Sequence, residues 1–214
     1  MSGRCIEVLH LYSSEYATRP STCIRQSMHP LIEAAGRRGE FPAWAELDDH
    51  RRAHVERVAA LMAAWAEALG LSEDEQIRWR AAGRLHDALK DAATPALRDL
   101  VDENSWPESL LHGPAVSALL ARDGVEDDEL LLAVAYHSVG HPSFGALGEH
   151  LYLADFLDPG RTDTGDRQAL RHAMPGGRDD VLPRVIRDRL EQQLADGRVV
   201  LPAAVEFWNR TVGS

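Results

Sequence analysis

From about Asp48 onward, apolar residues recur at spacings of three and four, and the polar residues that fall on the same stripes are repeatedly histidine or aspartate. That periodicity belongs to helices with one buried face, so it commits most of the chain to helices packed on one another. Val58, Leu61, Met62, Trp65 and Leu69 form the first stripe, and His54 lies on it one turn earlier, pointing inward. Ser72 followed by Glu75 makes a capping box for a second helix, whose apolar face runs through Ile77, Ala81 and Leu85 to the adjacent pair His86-Asp87. Sustained period-two alternation is scarce, and the expected fold class is all-α.

The later segments follow the same grammar. Thr94-Pro95 and Ser105-Trp106-Pro107 read as helix starts, with a hydroxyl cap and a proline in the first turn. The second leads to His112, where Gly113-Pro114 restarts or bends the helix, and Gly124 closes that segment. Asp127, Asp128 and Glu129 complement the dipole of the next helix, on which Leu130, Val134 and His137 share a face. Leu147, Leu151 and Asp155 repeat the arrangement until Pro159-Gly160 ends it. A carboxylate on a leucine stripe needs a partner, and a cation is a common one. After a Gly/Asp-rich connection come an amphipathic run from Val181 to Leu194 that includes Arg189, and a last helix from Pro202.

Composition narrows the function. The 214 residues are 44% apolar, enough for one main core, and residues 28–214 are expected to form a single domain. Residues 1–27 lack clear periodicity and are expected to be a dispensable extension. A formal charge of -11 argues against a general nucleic-acid surface but leaves small phosphate esters open, because bound cations reverse the field inside a cleft. Cys5 and Cys23 provide neither a disulfide framework nor a cysteine-rich zinc site, which fits a reducing cytoplasm. The sequence contains neither an apolar run long enough to span a membrane nor a secretory pattern at its start.

His54, His86, Asp87, His112, His137 and Asp155 thus form a candidate donor set spread over several inward helix faces, the way bundle metal sites are built. Mixed imidazole and carboxylate donors suit Fe, Mn, Co or Zn better than Mg. Six donors with one bridging carboxylate point to two metals, and one metal with a partly idle second set fits the same residues. Such a pair of cations suits phosphoryl displacement, with Lys90 and Arg161 placed in sequence to meet substrate phosphates.

The order His, His-Asp, His, His, Asp resembles the HD-domain metal-dependent phosphohydrolases. LHDALKD, LLHGPA, YHSVGHP, YLADFLDPGR and GRVVLPAAVEFWN are similar to the YqeK-type branch, the symmetrical diadenosine tetraphosphate hydrolases, over about residues 48–212. The resemblance implies an HD-type helical bundle. It also implies a di-iron-type site with His54, His86, Asp87 and Asp155 on one metal and His112, His137 and bridging Asp87 on the other. The implied reaction splits diadenosine tetraphosphate into two ADP through metal-activated hydroxide. By their own placement Asp87 and Lys90 are the candidates for catalytic roles and Lys90, Arg161 and His141 for substrate contact, with a loop or surface position the alternative for His141. Ser138 and Val139 replace a usual Thr-Thr pair, His141 stands at a basic or variable position, and Asp158 stands where glutamate is usual.

Another nucleotide, whether a mononucleotide, a deoxynucleotide or a cyclic dinucleotide, fits the same ligands, as does a non-enzymatic nucleotide sensor. A small-molecule nucleotide is the expected partner, and a homodimer is compatible with the sequence. His150 reads as a loop or surface histidine, Trp65, Trp79 and Trp208 as packing residues, and Trp106 as a residue lining the cleft. No serine sits in a strand-turn-helix elbow, so a serine nucleophile is not expected.

Overall fold

The computed structural model describes residues 28–101, 106–161 and 166–213. Cys5, Cys23, Ser105 and the proposed 1–27 extension lie outside the described residues. Within them every regular element is helical: α1 (Pro30–Glu33), α2 (Asp49–Ala68), α3 (Glu73–Leu85), α4 (Thr94–Arg98), α5 (His112–Arg122), α6 (Asp128–Tyr136), α7 (Ala146–Phe156), α8 (Asp166–Ala173), α9 (Arg178–Ala195) and α10 (Pro202–Val212). A π-helical turn, Ala34–Arg38, follows α1, and a single 3-10 turn, Glu108–Leu110, precedes α5.

Capping residues start the helices where the sequence placed them. The Asp48 carboxylate accepts from the Arg51 amide, Ser72 Oγ accepts from the Glu75 amide, and Asp127 accepts from the Leu130 amide. Only half of the capping box forms, because Glu75 pairs with Arg78 instead of reaching back to Ser72. Two starts differ from expectation. Thr94 is the first residue of α4 rather than its cap, and Pro107 precedes a short 3-10 turn rather than a full helix. Pro114 lies in the first turn of α5, where its missing N–H is no loss, so the helix simply begins at His112.

Helix α7 is the centre of the molecule, packed against α2, α3, α6 and α9. Every residue from Leu147 to Asp155 is buried. A helix covered all round has no solvent face, which overturns the surface reading of His150: it is 3% exposed, its ring lies 4.7 Å from Trp79 and 6.0 Å from Trp65, and Nδ1 donates to the Ala146 carbonyl. The ends of two stripes project instead of packing, with Leu69 43% and Leu194 68% exposed.

Two glycines set the helix spacing that the site depends on. A Cβ on Gly83 of α3 would stand 2.7 Å from the Ala59 Cα of α2, and one on Gly113 of α5 would stand 2.6 Å from the Ala135 carbonyl oxygen of α6. Each glycine lets two backbones touch, and each lies next to donors: Gly83 beside His86 and opposite the helix of His54, Gly113 beside His112 and opposite the helix that leads to His137.

Candidate metal centre

Five of the six candidate donors form two buried groups that share one carboxylate. His54, His86 and Asp87 bring one donor atom each within 4.8 Å of one another, and so do Asp87, His112 and His137. Asp87 faces the groups with different oxygens. Its Oδ2 lies 3.6 Å from His54 Nε2 and 3.8 Å from His86 Nε2, and its Oδ1 lies 3.1 Å from His112 Nε2 and 3.2 Å from His137 Nε2. Asp155 meets the first group through His54, with Oδ1 3.3 Å from Nε2. The imidazoles form an unbroken row, with ring centroids 5.3 Å apart from His54 to His86, 4.8 Å from His86 to His137 and 5.0 Å from His137 to His112.

Most of these separations suit ligands of one cation, the exceptions being the 3.6 and 3.8 Å from Asp87 Oδ2 to His54 and His86 Nε2. Ligands about 2.0–2.2 Å from one metal, at tetrahedral or octahedral angles, stand roughly 3–3.5 Å apart. The far ring nitrogens also fit: His86 Nδ1 is 2.7 Å from the Gly83 carbonyl oxygen, His137 Nδ1 is 2.8 Å from that of Val134, and His54 Nδ1 is 2.8 Å from Asp158 Oδ2. Bonds of this kind orient a ligating imidazole and raise its basicity. His112 Nδ1 instead lies 3.3 Å from Lys90 Nζ, which also donates to the Ser109 carbonyl at 3.1 Å.

Arginines surround the first group. Arg51 donates to Asp87 Oδ2 at 2.7 Å, Arg161 to Asp155 Oδ1 at 2.5 Å, and Arg189 to Asp155 Oδ2 at 2.8 Å. Arg57 grips Asp158 with Nε and Nη2 at 2.6 and 2.9 Å, so the residue behind His54 is itself fixed. Sequence reading placed Arg161 here but missed Arg51, Arg57 and Arg189, because an arginine on a helix reads as surface until its neighbours across the fold are known. His141 makes its contacts elsewhere: its ring packs on Tyr136 at 4.5 Å, and its Nδ1 accepts from the Ser143 amide. Trp106, expected along the cleft, is 8% exposed and packs edge-on against Tyr136.

Burial and neighbouring charge divide the protons. Burial pushes His86 down to about 3 and His112 down to about 4, leaving both neutral near pH 7, the form in which imidazole binds a metal. Burial disfavours charge on Asp87 as well. The His86-Asp87 pair settles its charge on the carboxylate, which His86 and the hydrogen bonds of His112 and His137 hold well below its ordinary range. For Asp155 burial is again opposed and outweighed, by His54 and by the charges of Arg161 and Arg189. His54 departs from His86 and His112. Burial would lower it, but Asp155, Asp158 and Asp87 together lift it to about 9. Burial lowers Lys90.

A family model described as HD domain matches residues 51–160, just over half of the chain. The chain is 29% identical over 128 residues to the symmetrical bis(5'-nucleosyl)-tetraphosphatase of Staphylococcus aureus, covering 56% of this chain and 64% of that protein, a little under two thirds of its length. It is 27% identical to the Bacillus subtilis protein of the same name, covering 56% of this chain and 67% of that one. In fold it is similar to a solved structure from Clostridium acetobutylicum, described as a predicted HD superfamily hydrolase involved in NAD metabolism. The TM-score is 0.68 at 22% identity, covering 78% of this chain and 91% of the other.

Proposed function

Since the chain belongs to the HD-domain family, we propose that it is a metal-dependent nucleotide phosphohydrolase that cleaves diadenosine tetraphosphate symmetrically into two ADP. The observation that supports this most is Asp87, whose two oxygens face two separate donor groups, Oδ2 towards His54 and His86 and Oδ1 towards His112 and His137. In this reading His54, His86, Asp87 and Asp155 hold one cation, and Asp87, His112 and His137 hold the other. Four imidazoles with two carboxylates favour iron, with Mn, Co or Zn as alternatives. Two such cations supply Lewis acidity for in-line attack of water on a phosphoryl group.

The chain's own residues do the rest. Asp158, Gly83 and Val134 fix the rings of His54, His86 and His137. Lys90, anchored on the Ser109 carbonyl, and Arg161, whose side chain is 43% exposed, supply cations to the polyphosphate. His141 is assigned a weaker substrate contact at the margin. Water adds to one central phosphorus and the bridging oxygen leaves with the other half, so one water and one dinucleoside tetraphosphate give two ADP.

The test is product analysis with protein loaded in turn with Fe, Mn and Co. ADP as sole product supports the assignment. AMP plus ATP would make the cleavage asymmetric, and turnover confined to a mononucleotide or cyclic dinucleotide would move the substrate class. No turnover of any nucleotide would overturn the enzymatic reading. The relatives' similarity in name and sequence supports the choice of substrate.

A further inference from the structure

Helix α9 lies outside the 51–160 family match, yet one of its side chains reaches the centre. Arg189 spreads its guanidinium over three oxygens: Nη2 donates to Asp155 Oδ2 at 2.8 Å and to the Tyr152 carbonyl at 3.2 Å, and Nη1 donates to the Ser138 carbonyl at 3.2 Å. The same group lies over the Tyr152 ring, 4.3 Å from its centroid, and 5.3 Å from that of Phe156. Arg187, two residues away, is 53% exposed in its side chain and only approaches Asp188 and Glu191 at 3.9 and 3.8 Å.

The choice of oxygens is informative. Asp155 Oδ1 faces His54 and Arg161, and Arg189 takes the other oxygen, Oδ2, so Arg189 does not compete with His54. Ser138 directly follows His137, and its Oγ lies 3.0 Å from His137 Nε2. A single planar cation therefore fixes the carboxylate beside the first donor group and the backbone beside the second. The fork geometry matters, because Nη1 and Nη2 are separate donors that reach Ser138 on one side and Asp155 with Tyr152 on the other, a span that the single nitrogen of an ammonium does not provide. We propose that Arg189 is a positioning residue that sets Asp155 and the His137 segment in register for metal binding, coupling α9 to the centre. The inference rests on the metal-centre reading given above.

The test measures metal rather than turnover. Cobalt(II) is titrated into wild type, Arg189→Gln, Arg189→Met, Arg189→Lys and the surface control Arg187→Gln. Visible absorption and bound-metal stoichiometry are read together with Tm before and after loading. Arg189→Met keeps the stem over Tyr152 and Phe156 but removes the donors. The expected result is a metal-free Tm close to wild type for Gln and Met, and affinity at the Asp155-served position weakened about 10–100-fold with an altered cobalt spectrum. Arg189→Lys should fall between these and wild type, and Arg187→Gln should match wild type. Unchanged affinity and spectrum in both Gln and Met variants would overturn the proposal while leaving the centre intact. A metal-free collapse of all three variants would also overturn it, in favour of a purely structural role. Wild type that binds no cobalt would overturn the underlying centre itself.

Discussion

Helix α7 carries two buried carboxylates of opposite use. Asp155, 5% exposed, lies between Arg161 and Arg189 with His54 Nε2 3.3 Å away. Glu149, 7% exposed, lies between Arg178 at 2.6 Å and Arg210 at 2.5 Å, and borders a separate cavity of about 470 Å³ with Leu182 and Thr211. Both are buried acids held by two arginines, so burial and charge pairing do not by themselves mark a metal site. The imidazole within reach does. Among the described residues arginines alone hold the Glu149 carboxylate, tying α7 to α9 and α10, whereas Asp155 Oδ1 is shared between Arg161 and the His54 end of the donor row.

The sharpest way to break that contrast is at the residue with no counterpart in the Glu149 group. Asp87→Ala removes the only carboxylate facing both donor groups among the described residues. Metal content should fall to background at both positions, and turnover by about 10⁴-fold or more. Full occupancy in this variant, measured by elemental analysis, would end the bridging role.

The comparison itself is tested by removing the same charge from both places on one helix. Asp155→Asn should weaken one metal position and lower turnover about 100-fold. Glu149→Gln should leave metal content and turnover per folded molecule unchanged. It should nonetheless cost about 2 kcal/mol, a fall in Tm of roughly 4–8 °C, because two arginines lose a shared partner that is itself desolvated. Those arginines are 38% and 36% exposed, which keeps the loss below that of a fully buried pair. Metal loss in Glu149→Gln equal to that in Asp155→Asn would erase the distinction. Lys90→Ala should have a smaller effect, slowing hydrolysis roughly 10-fold with metal retained, since Lys90 approaches His112 without serving as a donor to the shared cation.

The sequence was readable wherever a local rule governs. Ser72 was legible as a helix cap because its short side chain reaches the third amide on, and the inward donors follow from helical spacing; Asp48 and Asp127 cap in the same way, though the sequence marked them only as helix starts. Asp155 stood out as a charge on a leucine stripe. Glu149 did not, because it lies off that stripe, and only the all-round burial of α7 makes it anomalous. Arg51, Arg57 and Arg189 were hidden for the same reason: their roles are fixed by segments distant in sequence, as with Arg57 and Asp158, 101 positions apart. Gly83 and Gly113 were likewise silent on helix spacing, since the backbone each one touches belongs to another helix.

The smallest effect concerns His150, next to Glu149 but tied to neither carboxylate. Its Nδ1 donates to the Ala146 carbonyl, and its Nε2 is buried with no hydrogen-bond partner among the described residues, so it is held as the neutral tautomer between two tryptophans. Burial lowers it from the ordinary 6.5, with the charge of Arg178 acting in the same direction and the Ala146 carbonyl and Glu149 opposing. The unfolded chain then binds a proton that the folded chain refuses. Its contribution to stability is complete above about pH 6.5 and is lost as pH falls from there towards the folded value, at a slope of up to about 1.4 kcal/mol per pH unit. His86 and His112 titrate in the same sense when metal is absent, so the measurement is a difference. Denaturant midpoints of wild type and His150→Leu between pH 8 and pH 4.5 should run nearly parallel above pH 7 and diverge below 6.5, with the variant the less acid-sensitive. Parallel curves across the whole range would mean that His150 carries its proton into the core beside Trp65 and Trp79 as readily as it does in the unfolded chain.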